Sequence, residues 1–471
     1  MSRPDERDEH DEHDGERPIE RACFWMDRST RAPAPPLSGR VTADVAIVGA
    51  GFTGLWTAAH LSLLHPGVSV AVVEQGTVAY GASGRNAGMI SSSIDHSHEL
   101  AIAHFGEAEA RRLARLGRDN VTAMLRFLST NGIACDAEQK GTIHFALNAA
   151  HAEHFPPSLA CARSLGIDDL EIWSRARAQA EIHSHLYEGA IFDPSGGTVD
   201  PVKLANGLAD VITRAGVRIF EGSPVSRIAP HADGIVAYTP GGELRAGRVV
   251  LATNAYSHHL LPSLGWRFLP LYDYVTVSEP LTPAQRDILG WRRRQGVTDV
   301  RAFFNYYRLT DDDRILWGTS EAMYHGNAGR AFDHSASHYA ALRASFDRHF
   351  PDLRDVRFPY AWGGPISATA RFTPFFGSAL DGRLVYGLGY TGHGVATTHL
   401  AGEHLAHKAL GRASPHDDLQ MVTNPPMPYP PEPLRRWAID AVTAALRKVD
   451  AGEKPGLLLQ ALDAMGVGLS S

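Results

Sequence analysis

The chain has 471 residues, 44% of them hydrophobic and 21% charged, and carries a formal net charge of −7. This balance is that of an ordinary globular protein long enough for two subdomains around a buried ligand, and it argues against nucleic acid as the main partner. No apolar run approaches the roughly 18 to 20 residues of a membrane-spanning helix, no signal-peptide core opens the chain, and Cys23, Cys135 and Cys161 lack C-x-x-C spacing; no membrane, disulfide framework or metal site is expected, and the cytoplasm is the expected location.

Residues 1–20 contain DERDEHDEHDGER, too charged to bury enough apolar surface to offset ordering entropy, so a disordered acidic tail is expected there. His10 and His13 within it read as part of a solvated charge run. RAPAPPLSGR at 31–40 reads as an extended, proline-rich lead-in, completing a 1–40 tail.

VAIVGAGFTG at 45–54 then places Gly49, Gly51 and Gly54 in the spacing G-x-G-x-x-G after a β-branched run. Gly49 permits a tight turn, Gly51 lets backbone approach a pyrophosphate, and Gly54 lets the following helix lie close to the sheet; the helix N-terminus attracts the negative charge. FTGLWTAAHLSLLH has helical recurrence, His65-Pro66-Gly67 stops it, and VSVAVVE reads as a second buried strand ending on Glu74, 20 residues past Gly54, where an acid accepts ribose hydroxyls. Strand, glycines, helix and acid together predict a dinucleotide site.

YGASGRNAGM at 80–89 is a second glycine-rich block, whose small residues allow close approach to a planar ligand and whose Arg85 and Asn86 offer donors. Asp95-His96-Ser97-His98 follows; Asp95 is expected to cap a helix over about 97–131, with His96 or His98 facing the cavity. A metal site with His104 is disfavoured, because two histidines two apart on a helix point away from each other. GTIHFAL (141–147) alternates like a strand. After Asp200-Pro201, VKLANGLADVITRAG reads as an amphipathic helix, VRIFEG as a strand, SPVSRIAPHADGIVAYTP with Gly241-Gly242 as a β-meander, and RVVLATNAY as a further buried strand. Residues 267–376 are β-rich and aromatic, with one helix near 335–350, and resemble a second lobe. GLGYTGHGV (387–395) is a third glycine turn opening a helix, whose N-terminus suits charge on a reduced flavin edge. A last helix is expected at 431–450, with the final residues packing back on the body.

The G-x-G-x-x-G unit with Glu74, the GASGRNAG block, FDPSGGTVDP, VVLATNAYS, YYRLTDDDRILWG, WGGPISATARFTP and GYTGHGV resemble the FAD-dependent oxidoreductases of the D-amino-acid oxidase and glycine oxidase type, in the branch that includes γ-glutamylputrescine oxidase. The resemblance runs from about Ala22 over nearly the whole chain. It implies an α/β (α+β) fold, a Rossmann-like FAD domain interleaved with a mixed or antiparallel β-sheet substrate domain. In this chain those would be 41–130, 195–265 and 377–415 for FAD, 131–194 and 266–376 for substrate, and 416–471 as a C-terminal helical extension. It implies ADP on Gly49, Gly51, Phe52, Thr53, Gly54, Glu74 and Gln75, with Val225 backbone near the adenine and Thr253 close by. The flavin would lie between Ala82, Ser83, Arg85, Asn86, Ala87, Gly88 and Met89 and the turn of Gly389, Thr391, Gly392, His393, Gly394 and Val395.

Departures from the family pattern sharpen the expectation. The positions where relatives attach flavin covalently carry Arg85 and Asn86 or fall in the cysteine-free stretch 162–471, so FAD is expected to be noncovalent. Where amino-acid oxidases grip a carboxylate with arginine, the matching position is Ile366, with Arg371 further along. No lysine lies between Lys203 and Lys408, and Val395 follows His393-Gly394 where sarcosine-type oxidases have Phe and then Lys, so the electron acceptor, O2 or another, is open.

The expected reaction is oxidation of the C–N bond of a small amine or amino-acid-like substrate, by hydride transfer to flavin and hydrolysis of the imine. Such a site must orient the substrate and favour the neutral amine. Tyr306 and Tyr307 are candidates to line the pocket, or core aromatics. Arg308 is a candidate partner for an acidic substrate group, or for Asp311 or Asp312. His393 is the candidate polar group beside the flavin. A 2-hydroxy-acid dehydrogenase and a flavin-binding protein without turnover remain as alternatives.

Overall fold

The computed structural model describes residues 17–94, 97–232, 234–464 and 467. The β-branched run at 45–48 forms the buried end of strand Gly39–Val48, which lies between two parallel neighbours, Val70–Val73 and Gly242–Leu251. Covered on both faces, it reads as a continuous apolar run rather than an alternating one. Val45 and Ile47 pack under helices Phe52–Leu64, His98–Thr130, Pro201–Arg214 and Gly394–Ala409, while Ala46 and Val48 face a second apolar layer that includes Leu244 and Phe268. The strand order across this sheet is 375–379, 384–388, 242–251, 39–48, 70–73, 218–220.

Strand Gly242–Leu251 merges two elements the sequence separates. Its first half pairs antiparallel with Gly234–Thr239 and its second half parallel with Leu384–Leu388. Arg245-Ala246-Gly247-Arg248 in its middle has turn-like composition, which hides the continuity.

A second sheet of nine strands is antiparallel apart from one parallel pair, 296–299 with 142–146. Its spatial order is 323–324, 269–277, 315–319, 305–309, 296–299, 142–146, 189–193, 171–174, with Tyr360–Ala368 paired along Leu269–Val277. Trp173, Tyr187, Tyr272, Tyr307 and Trp317 fill its core, backed by helix Ala336–His349. The fold is therefore mixed α/β.

Two expectations change. Most of the acidic tail, with His10 and His13, lies outside the described residues, but Ile19–Ala22 and Phe24–Asp27 are short helices and Cys23, Phe24 and Trp25 are buried. A short apolar run, IERACFWM, is masked in the sequence by its charged neighbours. The N-cap of helix His98–Thr130 is Ser97, whose Oγ accepts from the Leu100 amide at 3.1 Å; Asp95 and His96 lie outside the described residues. That helix is broken at Gly106, where φ is +78°. Among the described residues no helix is long and apolar enough to cross a membrane.

Two buried arginines lock the sheets together. Arg85 donates from Nη1 to Asp333 Oδ1 at 2.6 Å and to the Gly363 carbonyl at 3.2 Å, and from Nε to the Tyr80 carbonyl at 2.9 Å. Arg308 is caged by the carbonyls of Val199 (2.6 Å), Gly88 (3.2 Å) and Ala87 (3.4 Å), and burial pushes its guanidinium down to about 10.

Candidate functional site

A cavity of about 1290 Å3 runs between the two sheets. Its nucleotide-sheet side is made by the three glycine segments. Gly49 has a φ of +107°, and a Cβ there would come within 2.7 Å of the Ala252 carbonyl oxygen. A Cβ on Gly54 would collide with the Gly49 carbonyl, so the helix sits as close to the strand as backbone permits. Both glycines shape the turn from behind and do not line the cavity; Gly51, Phe52 and Thr53 do. Ser83 Oγ accepts from the Phe52 amide at 2.8 Å, tying the 80–89 block to this helix N-terminus.

Glu74 also lines the cavity, beside Gln75. Its carboxylate accepts from the Ala50 and Gly76 amides at 2.8 and 2.9 Å, which lower its proton affinity, yet burial prevails and raises it. Val225 and Thr253 face the same space. A second helix, Gly394–Ala409, opens onto it at Thr391, Gly392, His393, Gly394 and Val395. The two helix starts are joined by a hydrogen bond from Thr53 Oγ1 to Tyr390 Oη at 3.0 Å. The cavity therefore presents two positive helix ends, the charge pattern that a pyrophosphate and an electron-rich ring edge require.

Several predicted residues act differently from expectation. Asn86 lines the cavity, but its side chain braces its own loop, donating to the Ala82 and Ser83 carbonyls and accepting from the Gly88 amide. Ala82, Ala87 and Met89 face the cavity, whereas Gly88 is turned toward the Val199 carbonyl and Arg308, where a Cβ would not fit. Gly389 packs against Thr369 behind the turn. Tyr307 is buried in the second core, stacked on Trp317 and hydrogen-bonded to the Tyr187 hydroxyl at 2.5 Å. Side chains alternate along a strand, so of two adjacent tyrosines only Tyr306 faces the cavity. Arg308 points the same way as Tyr306 but ends in its carbonyl cage, outside the cavity lining and paired with neither Asp311 nor Asp312, which pair with Arg28. Arg371 is likewise held by the Asn424 and Met421 carbonyls and lies outside the cavity.

Other residues were not legible in sequence. Asp273, on strand Leu269–Val277, lines the cavity and receives the Tyr306 hydroxyl at 2.8 Å on both oxygens. Burial pushes its carboxyl up to about 7. Tyr306 reaches it across the intervening strand Ile315–Thr319 because Gly318 has no side chain: a Cβ there would occupy the Tyr306 ring. Ile366 and Ser367 pass the cavity from strand Tyr360–Ala368. Ala438, Ile439, Val442 and Leu446, spaced along one face of helix Leu434–Asp450, wall another side. That helix is anchored by the Asp450 carboxylate, which accepts from the Ala302 and Phe303 amides at 2.8 and 2.9 Å. His98, by contrast, lines the cavity as expected from the sequence, and among the described residues no group of His, Cys, Asp and Glu side chains is arranged to hold a metal.

The lining fits FAD. Four buried polar atoms of cavity residues, Ser367 Oγ, Arg85 Nη2, Arg118 Nε and His151 Nδ1, have no hydrogen-bond partner among the described residues, and such atoms call for a bound group. Glu74 offers acceptors at the nucleotide end, and the helix starts at Phe52 and Gly394 offer amides.

Comparison with known proteins agrees. Gamma-glutamylputrescine oxidoreductase of Escherichia coli K12 is 31% identical over 399 residues, covering 84% of this chain and 90% of that protein. The probable oxidoreductase OrdL of Haemophilus influenzae is 30% identical over 396 residues, 83% and 88% of the two chains. The glycine oxidase structure from Geobacillus kaustophilus superposes with a TM-score of 0.68 at 21% identity, over 81% of this chain and 98% of that one, which shows the shared fold. The family model described as FAD dependent oxidoreductase (DAO) matches residues 44–408, and this chain belongs to that FAD-dependent family.

Proposed function

We propose that this chain oxidises the C–N bond of a small amine or amino-acid-like substrate bound between the flavin-holding turns and the second sheet. The observation that carries the reading is the character of the cavity wall facing those turns. It presents Ile366 rather than a cation, and next to it the Asp273–Tyr306 pair. A wall with a carboxylate and a hydroxyl suits a nitrogen-bearing substrate better than a free carboxylate. The E. coli relative is named for an amine, which supports this substrate class, and we carry over the class, not the compound.

FAD, held noncovalently, supplies the two-electron acceptor for the hydride. The chain's own residues bind, orient and dry the substrate. Leu271 and Val275 flank Asp273 on the same strand face, and the apolar face of helix 434–450 adds a further wall, so an amine entering this space loses water and its neutral form gains ground. His393 lies in the flavin turn at the start of helix 394–409, lines the cavity and is assigned to the ring edge. The three cysteines are free, which suits a reducing cytoplasm.

The test is direct. Purified protein is expected to be yellow, to release its flavin on denaturation, and to bleach anaerobically with one or more members of an amine panel. Bleaching with 2-hydroxy acids alone would assign the chain to hydroxy-acid dehydrogenation, and a panel without effect would leave a binding protein. The rate of reoxidation in air then distinguishes an oxidase from a dehydrogenase.

A further inference from the structure

Asp273 is the one cavity carboxylate set directly beside the strand that carries Ile366. The antiparallel register places it opposite Gly364, two residues before Ile366. It keeps part of its surface open, and that surface faces the cavity, as do its strand neighbours Leu271 and Val275. Its partners are the Tyr306 hydroxyl, whose single hydrogen is shared by two oxygens each 2.8 Å away, and the backbone amide of Tyr274. Among the described residues no lysine, arginine or histidine forms an ion pair with it, although the other acidic side chains in the strands of the second sheet have one: Glu171 has Arg177, Asp193 has Arg118, Asp299 has Arg301.

A carboxylate away from bulk water with one neutral side-chain donor is costly unless a cation reaches it. The chain keeps it there with a specific device, the bare strand at Gly318 over which Tyr306 lies. A wholly structural pair would not need to open on a cavity.

We propose that Asp273, positioned by Tyr306, is the docking group for a cationic nitrogen of the substrate, and that the enzyme selects organic ammonium compounds over substrates recognised through a carboxylate. This deepens, and rests on, the amine-oxidation reading. A docked ammonium supplies the missing counter-charge and satisfies the carboxylate lone pairs that Tyr306 leaves open. It also holds Asp273 ionised against the upward push of burial until one ammonium proton passes to the carboxylate, which leaves the neutral amine that the oxidation requires. Ile366 offers no competing grip for a carboxylate. Tyr306 fixes the carboxylate plane, so the cation is oriented as well as held.

The experiment uses the FAD-loaded full chain and a ligand that cannot react. tert-Butylammonium has no hydrogen on the carbon next to nitrogen, so its binding is read from the flavin absorbance change without turnover; pivalate, of the same shape and opposite charge, is the control. Wild-type protein is expected to bind tert-butylammonium and not pivalate. The isosteric Asp273→Asn, which can still accept from Tyr306, is expected to keep its FAD and weaken tert-butylammonium binding by about thirtyfold or more. Tyr306→Phe, which keeps the carboxylate, is expected to retain binding within a few-fold. Equal binding by Asp273→Asn, preference of the wild type for pivalate, or loss in Tyr306→Phe as deep as in Asp273→Asn would each overturn the proposal. None of these results depends on turnover: an enzyme that bleaches with amines while Asp273→Asn binds normally keeps its proposed function and loses this inference.

Discussion

Glu74 and Asp273 line one cavity from different sheets, and the chain builds their surroundings in different ways. Around Glu74, each feature comes from contiguous backbone: a strand end, a glycine turn, a helix start. Around Asp273, the parts come from separate strands, with Tyr306 reaching over Gly318 and Gly364 supplying the neighbour. The first surface offers backbone amides and helix ends, which suit any dinucleotide; the second offers side chains, the part of the wall to which we assign substrate selection. The two are fastened by Arg85, which belongs to the flavin block yet ion-pairs with Asp333 of the other lobe.

That fastening gives the largest expected effect. Asp333→Ala leaves the buried Arg85 guanidinium without its counter-charge and should destabilise the protein by about 3–5 kcal/mol, measured by denaturant or thermal unfolding. A loss below about 1 kcal/mol would show that the lobes are joined chiefly by apolar packing. Next comes Gly54→Ala, whose Cβ meets the Gly49 carbonyl. It should cost about 1–3 kcal/mol of stability and most of the bound FAD, read from visible absorbance per protein. Full FAD content in that variant would mean the helix can back away from the sheet.

Gly318→Ala separates the two surfaces more finely. A methyl group there displaces the Tyr306 ring from Asp273, so FAD content should stay near wild type while anaerobic reduction by an amine slows by about tenfold, roughly 1.4 kcal/mol of barrier. Unchanged reduction would remove Tyr306 from the list of positioning residues.

The smallest effect per group, spread over both lobes, is acid sensitivity. Burial lowers His349 to about 4 in the second lobe, and His399 and His404 to about 3 and about 4 in the helix behind the flavin turn. Their folded values lie below the ordinary 6.5, so the unfolded chain takes up protons first. Their contribution is therefore present above about 6.5 and lost as pH falls toward 4, and unfolding midpoints measured across that window should drop in both lobes together. A midpoint flat from neutral pH down to 4 would contradict it.

The nucleotide-sheet side was open to reading because its chemistry depends on spacing along the chain. Gly49, Gly51 and Gly54 act through backbone, and Glu74 follows at a distance set by one helix and one strand. The family's blocks extended that reading to the 80–89 and 387–395 turns. Periodicity left Tyr306 and Tyr307 open between pocket and core, and Arg308 between a substrate group and Asp311 or Asp312; strand alternation sends Tyr307 into the core, and Arg308, although on the Tyr306 face, ends in a cage of carbonyls. The N-terminal helices were missed because Cys23, Phe24 and Trp25 gain their burial from the 80–89 block and the second sheet, not from their own segment.

The sequence alone determined the scaffold that suits a dinucleotide: a strand, glycine turn and helix with its acid, two further glycine turns, and the aromatic β-rich lobe. Tertiary structure alone decided which side chains meet on the cavity wall opposite those turns. Asp273, Tyr306 and Gly318 are 12 to 45 residues apart and become one unit only through sheet register, with Val275 opposite Gly318 and Gly318 opposite Tyr306. A phosphate-binding turn is a property of consecutive backbone, whereas a side-chain site across three strands is set by pairing, which no local pattern encodes.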